Sequence, residues 1–392
     1  MDFISAQMSA HGDIAERYAE LGRLFERKLW HQLTVALEAF AGDPACLRGD
    51  NLFELYEGFI RRFEGRMNQI KFVQLCCKIA EQMRAAAQGD ADREAALVRA
   101  AAFLAGHLEK KARLGSDATL LCRLYASEFE VQQAGVDAQQ AAKATLDDVE
   151  NAFASAAKVD DRVRTAYHKV ATLYYKKKGP AASFYRHALL FCDRGLADLP
   201  DADRVPLAVD IALAALVGEG IYNFGEVLAN PLLGALDGSD FAWLRDLLRI
   251  FNHGDVTRFN EVMAGHSDQV NAQPALVANE SLLKEKIALL ALMELVFRRP
   301  ADERTLAFGD IAAATLMPLV QVEWLLMRAM SLGLIKGEID EIAQVVHVSW
   351  LLPRVLDRSQ LESLRTRLAK WSGEVHNTLL YFESQCGPEL FQ

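Results

Sequence analysis

From about Tyr18 to Leu190, apolar residues recur at three- and four-residue steps, and strand-type alternation is absent. That spacing predicts a run of amphipathic helices separated by short turn signals. The first pattern, IAERYAELGRLFERKLWHQLTVALEAFA, runs from Ile14 to Ala41 and breaks at Gly42–Pro44. A second begins at Asn51 and places Leu52, Leu55, Tyr56, Phe59, Ile60 and Phe63 on one helical face. A third, IKFVQLCCKIAEQMRAAA, closes at QGDAD, and a fourth spans Arg93 to Lys111. Gly115–Asp117 ends the fourth and offers an N-cap to the fifth, which stops at Gly135. TLDDVENAFASA follows, with acids in its first turn where the helix dipole is positive.

Arg162–Asp193 predicts a helical hairpin around KKKGPAA. Ala171, Ala182 and Ala188 are small enough for two helices to approach closely. Tyr174, Tyr175, Tyr185 and Leu189 fill the groove between them. The hairpin is of the tetratricopeptide type, without a strict period of about 34 residues. The Lys176–Lys178 run suits a solvated helix C-terminus, ended by Gly179. The expected fold is mainly α: a degenerate, right-handed, TPR-like solenoid whose extended surface suits protein partners.

The pattern then shifts. Gly195–Ala208, with two prolines and several aspartates, reads as a linker or long turn. Two helices are expected around Asn252–Asp255. In Gly218–Glu226 the glycines permit a tight turn. Ile221, Tyr222 and Phe224 would dock that turn into a core, and Asn223 would cap the next helix. Ser281–Trp350 reads as a long apolar helix, a helix-turn-helix and a strand pair, which in that order make a winged helix. A long helix follows Pro353, with Asp357 and Gln360 as its capping box. It carries Leu361, Leu364, Leu368, Trp371, Val375, Leu379 and Phe382 in a narrow, coiled-coil-like stripe. Such a helix folds back on its own domain or packs against other chains. The expected divisions are a helical-repeat arm (1–194), a domain of helices (195–280) plus winged helix (281–352), and a C-terminal helix and tail (353–392).

Charge bears on what the winged helix can do. The chain of 392 residues has a formal net charge of −10, which disfavours coating nucleic acid or an anionic membrane. The expected recognition helix, Val320–Leu332, offers Gln321, Glu323 and Arg328 among apolar residues, and the wing GEIDEI is acidic. Base reading needs exposed Arg, Lys, Asn or Gln, so protein interaction is expected over DNA or RNA binding. No transmembrane helix, secretory signal or membrane partner is expected, and an intracellular setting is. The six cysteines show no CxxC pairing and read as buried free thiols. No P-loop, GxSxG elbow or HExxH motif occurs, and the histidines are scattered. Neither catalysis, a metal nor a cofactor is therefore expected.

Helical repeats, a winged helix and a terminal helix together make the layout of PCI-domain subunits. These are scaffolds of the proteasome lid, the signalosome and a translation-initiation complex. Local matches are closer still. KLWHQLT, LYEGFI, the YY…G…A–FYRHALLF hairpin, LVGEGIYNFGEVLANPLL, FNHGDVTRF, RPADERTLAFGDIA, SLGLIKGEIDEI and VHVSWLLPRVLD occur in order. They resemble the non-ATPase regulatory subunit 13 type of the 26S proteasome lid, from about Tyr18 to Trp371. Ala307 departs from that pattern where a hydroxyl residue usually caps a helix. Pro318 departs where a helix usually begins with Thr. The extreme N-terminus matches weakly and is expected to be mobile.

The resemblance implies a non-catalytic structural subunit of the regulatory particle lid, in cytoplasm and nucleus, supporting assembly of the complex that degrades ubiquitinated proteins. It implies other PCI and MPN-domain subunits as partners. A lateral contact would use the strands Leu334–Ile339 and Val345–Trp350, through Leu334, Ile335, Ile339, Val345, Val346, Val348 and Trp350. A bundle contact would use Leu361–Phe382. A PCI subunit of another assembly and a nucleic-acid-binding winged helix are the alternatives.

Overall fold

The computed structural model describes residues 3–4, 7, 14–43, 46, 50–87, 89–108, 115–155, 159–196, 199–300, 304–355 and 358–385. Pro44, Lys111, the turn residues Ala301–Glu303, Asp357 with its capping box, and Cys386 lie outside them, as do most of the first thirteen residues. The chain forms two compact units, Met1–Asp198 and Leu199–Gln392.

Among the described residues, the regular elements of the first unit are all helical. It comprises α1 (Ala15–Glu26), α2 (Trp30–Phe40), α3 (Asn51–Gly58), α4 (Gln69–Ala85), α5 (Asp90–Leu108), α6 (Ser116–Gln132), α7 (Val136–Ser155), α8 (Asp161–Lys178) and α9 (Ala181–Gly195). Consecutive helices pack as hairpins from α4 onward, and α6 also packs on α4 and α8. The face predicted for α3 is the buried one: Leu52, Leu55, Tyr56, Phe59, Ile60 and Phe63 all lie in the core.

Ile14–Ala41 is two helices, not the single one its periodicity predicts. After Glu26 the Leu29 N–H bonds the Leu24 carbonyl (3.1 Å) and the Lys28 N–H bonds that of Phe25 (3.0 Å). Lys28 stands at φ 54°. This is the Schellman ending, with lysine where glycine is usual. What holds it is tertiary. Phe25 packs against Trp30, Phe59 and Phe63 at ring separations of 5.9, 5.1 and 5.5 Å. Phe3 and Ile4 also depart from the expected mobile terminus. Ile4 is buried, and the Phe3 ring fills the notch left by the missing side chain of Gly58.

In the α8–α9 hairpin Ala171 and Ala188 are buried at the crossing, as their size predicts. Lys176–Lys178 end α8, and Gly179 follows at φ 69°. Lys177 is less solvated than expected. Its Nζ donates to the Val131 and Gln132 carbonyls (2.6 and 3.2 Å), which cap the end of α6. His168 and His187 face each other with their Nδ1 atoms 3.2 Å apart, and Tyr175 stacks on His187. Burial pushes His168 down from 6.5 to about 4, with His187 and nearby arginines adding to the effect; burial lowers His187 also. The folded chain thus keeps these rings neutral where the unfolded chain protonates them. Their contribution is present above pH 6.5 and is lost as pH falls toward 4. The thermal midpoint should therefore fall on acidification through this window. A His168→Gln/His187→Gln variant should show a shallower fall, measured by circular dichroism.

The second unit begins with α10 (Asp201–Val217), inside the segment expected to be a linker. Pro200 precedes the helix, and Asp201 and Asp203 lie in its first turn. Pro206 removes one backbone donor within the helix. Burial of Ala208, Ile211, Ala212 and Ala215 outweighs that loss. Then come α11 (Phe224–Ala229), α12 (Ala242–His253), α13 (Val256–Gly265), α14 (Ser267–Asn271), α15 (Pro274–Ala278) and α16 (Glu280–Arg298). The turn expected at Asn252–Asp255 is present. Gly254 stands at φ 64°, and a Cβ there would lie 2.6 Å from the Ala291 nitrogen on α16. Asp255 caps α13 by accepting from the Arg258 N–H (3.0 Å).

The winged helix follows as α16, β1 (Thr305–Ala307), α17 (Phe308–Thr315), α18 (Leu319–Ser331), β2 (Ile335–Asp340) and β3 (Val345–Leu351). Ala307 gives α17 no side-chain cap. The Phe308 N–H is met instead by the Gln344 carbonyl (2.9 Å). Pro318 occupies the N-cap of α18, where its missing N–H costs nothing. The chain ends in α19 (Arg358–Gln385).

Candidate protein-interaction surfaces

The sheet order is β1-β3-β2, both pairs antiparallel. This corrects the expected lateral surface in two ways. First, Val345–Trp350 forms the central strand, with Leu306 opposite Val346 and Ile339 also opposite Val346, so its backbone has no free edge. The three-residue strand TLA takes the edge that was assigned to it. Second, Leu334, Ile335, Val346 and Val348 are buried in the core and present no side chain outward. Ile339, Val345 and Trp350 are half-buried. Lys336 sits over the Trp350 ring at 4.9 Å. β1 and β2 form the two edges of the sheet, and β2 is the longer of them.

The helix-turn-helix presents an apolar face. On and before α18, Leu316, Leu319, Val320, Trp324 and Met327 are exposed, Val320 to 90%. The single arginine, Arg328, is tied to Glu285 (2.8 Å). In the wing, Ile342 is 99% exposed. Asp340 fixes the wing turn by accepting from the Ala343 N–H (2.9 Å). Among the described residues of α18 and the wing turn, Arg328 is the one Lys or Arg, too few for a phosphate backbone.

The helix α19 is open to solvent along most of its length. Every residue from Leu361 to Ser384 is exposed. Leu361, Leu364, Leu368, Trp371, Val375, Leu379 and Phe382 form its stripe, and Trp371 is 64% exposed. The helix therefore does not fold back onto its own unit.

The base of that helix is firmly held. The Leu352 N–H bonds the Leu334 carbonyl (2.8 Å). Arg354 pairs with Glu294, donates to the Asn252 carbonyl (3.2 Å) and lies over the Phe297 ring. Gln360 donates to Glu294 (3.4 Å). Asn223 does not cap α11 as expected; its Oδ1 accepts from the Val355 N–H (3.0 Å). A Cβ on Gly225 would overlap the Val355 carbonyl, so glycine is what lets this segment dock. Ile221, Tyr222 and Phe224 are buried as predicted.

One further residue was not visible beforehand. Lys286 lies on the apolar helix α16 and is 1% exposed. Its Nζ donates to the carbonyls of Ala215, Leu216 and Gly218, each at 2.9 Å. The ammonium closes the C-terminal end of α10, where the dipole is negative. The Tyr222 and Phe224 rings lie within 5.7 and 5.4 Å of it. Burial pushes its pKa down to about 7.

Helical repeats, then a winged helix with an apolar recognition helix and an acidic wing, then an exposed terminal helix: that is the class of protein the fold defines. The family of PSD13 N-terminal repeats matches residues 17–248, and the PCI domain matches residues 263–350. The 26S proteasome non-ATPase regulatory subunit 13 homolog B of Arabidopsis thaliana is 36% identical over 391 residues, covering 98% of this chain and 97% of its own. The 26S proteasome non-ATPase regulatory subunit 13 of Dictyostelium discoideum is 33% identical, covering 95% of this chain and 93% of its own. Homolog A of Arabidopsis thaliana is 35% identical, with coverages of 98% and 97%. The chain belongs to the 26S proteasome non-ATPase regulatory subunit 13 family.

Proposed function

We propose that this chain is a non-catalytic structural subunit of the regulatory particle lid of the 26S proteasome. It supports assembly of the complex that degrades ubiquitinated proteins, in cytoplasm and nucleus. The observation that carries this is α19, whose apolar stripe leaves its own unit and remains uncovered. Helices of other PCI and MPN-domain subunits would cover it. The open edge of β2 and the apolar face of α18 supply a lateral contact, and the parts are the helical repeats 1–194, the PCI part 195–352 and the tail 353–392. Arg354 and Glu294 act as positioning residues, because they fix where α19 leaves the winged helix.

Affinity purification of the full chain from its native cell tests this reading. The expected result is co-purification of other regulatory-particle subunits in stoichiometric amounts. Recovery of the chain alone, or with subunits of a different assembly, would overturn it.

A further inference from the structure

The stripe on α19 has a register that also fits a second copy of this chain. With Leu361, Leu368, Val375 and Phe382 as heptad a positions, Leu364, Trp371 and Thr378 fall at d. Arg367 and Glu374 then fall at g, on the same flank of the stripe. We propose that, away from its assembly partners, the chain pairs with a second copy through α19 as an antiparallel two-helix coiled coil.

Orientation follows from charge and shape. In an antiparallel pair a faces d and g faces g. Leu368 then packs on Trp371 of the second copy, and Leu364 on its Val375. The same register sets Arg367 against Glu374 of the second copy, and symmetry repeats the pair. A parallel pair sets Arg367 against Ser372, Glu374 against Leu379, and Trp371 against its own counterpart. That arrangement satisfies no charge and crowds two indoles in one layer. Flanking charges are what choose partner and orientation in such pairs.

The groups required are free to take part. Trp371, Val375 and Leu368 are all about half or more exposed. Glu374 is held only by Lys370 at 3.8 Å, an exposed pair of little strength. Arg367 spends one Nη2 contact on the Arg298 carbonyl (3.1 Å), which leaves other N–H groups of the guanidinium available. Self-pairing would shield the stripe until helices of other chains replace the second copy. It is a separate claim from the assembly role, because it concerns the chain without partners.

Sedimentation of the purified full chain at about 50 μM tests it, on the scale where coiled coils of a few heptads associate. The expected mass is twice the 43.5 kDa of one chain. Arg367→Glu and Glu374→Arg should each weaken association by about tenfold or more, and the double exchange should restore it. Spin labels on Glu383→Cys, in a Cys386→Ser background, should lie on the order of 40 Å apart, from 1.5 Å of rise per residue. Labels within about 20 Å would indicate a parallel pair of neighbouring helices and overturn the proposal. A monomeric wild type, or a double exchange that fails to restore the dimer, would also overturn it. Recovery of co-purifying subunits is read separately. A monomer that still enters its assembly sinks the pairing alone, whereas a dimer that enters none sinks the assembly role alone.

Discussion

Replacing Lys286 by methionine should destabilise the C-terminal unit by about 3 kcal/mol, the cost of leaving several buried acceptors unmet. Methionine keeps the length of the stem, so no large cavity opens. What disappears is the donor shared by the carbonyls of Ala215, Leu216 and Gly218. Lys286 is buried against Tyr222 and Phe224, which shields these carbonyls from solvent. The ammonium's own desolvation, which lowers its pKa to about 7, offsets part of the loss but not all of it. The carbonyls cannot be removed with it. Urea denaturation measures the effect. A Lys286→Met chain as stable as the wild type would show that the α10 terminus is satisfied in another way.

Arg354→Ala should cost about 1.5–3 kcal/mol, because it removes the buried cation nearest Glu294. Glu294 would keep Arg298 (3.1 Å) and Gln360 (3.4 Å) but lose its closest cation. The segment Leu352–Val355 would also lose its hold on Asn252. The effect should therefore appear twice, as lower stability and as faster proteolysis just before α19. Unchanged proteolysis would mean that the Asn223 and Leu334 bonds suffice to hold the segment.

Helical periodicity made most of the architecture legible. The buried face of α3, the α8–α9 hairpin, the Asn252–Asp255 turn and the winged helix all lie where local spacing put them. Departures arise where tertiary contacts overrode local signals. Lys28 ends a helix without glycine because an aromatic cluster closes the turn behind it. Pro206 sits inside α10 because the helix has an apolar face to bury. The spacing of the α19 stripe was legible, and among the described residues it stays exposed. The sheet edge was not. Strand alternation in Val345–Trp350 says which side chains face inward, but not that Thr305–Ala307 will occupy the neighbouring position. Lys286 and Arg354 were hidden for a related reason. A lone cation in an apolar run reads as a surface residue until the carbonyls or carboxylate it meets, 60 to 71 residues away, are placed beside it.

The central claim is that α19 is the docking element of an otherwise independently folded chain. The most direct measurement compares the full chain with one ending at Asp357, by native gel of the assembled regulatory particle and by circular dichroism of the purified chains. The claim predicts that the shortened chain keeps its helical signal and its cooperative melt but is absent from the particle. A shortened chain that is incorporated at the wild-type level would contradict it.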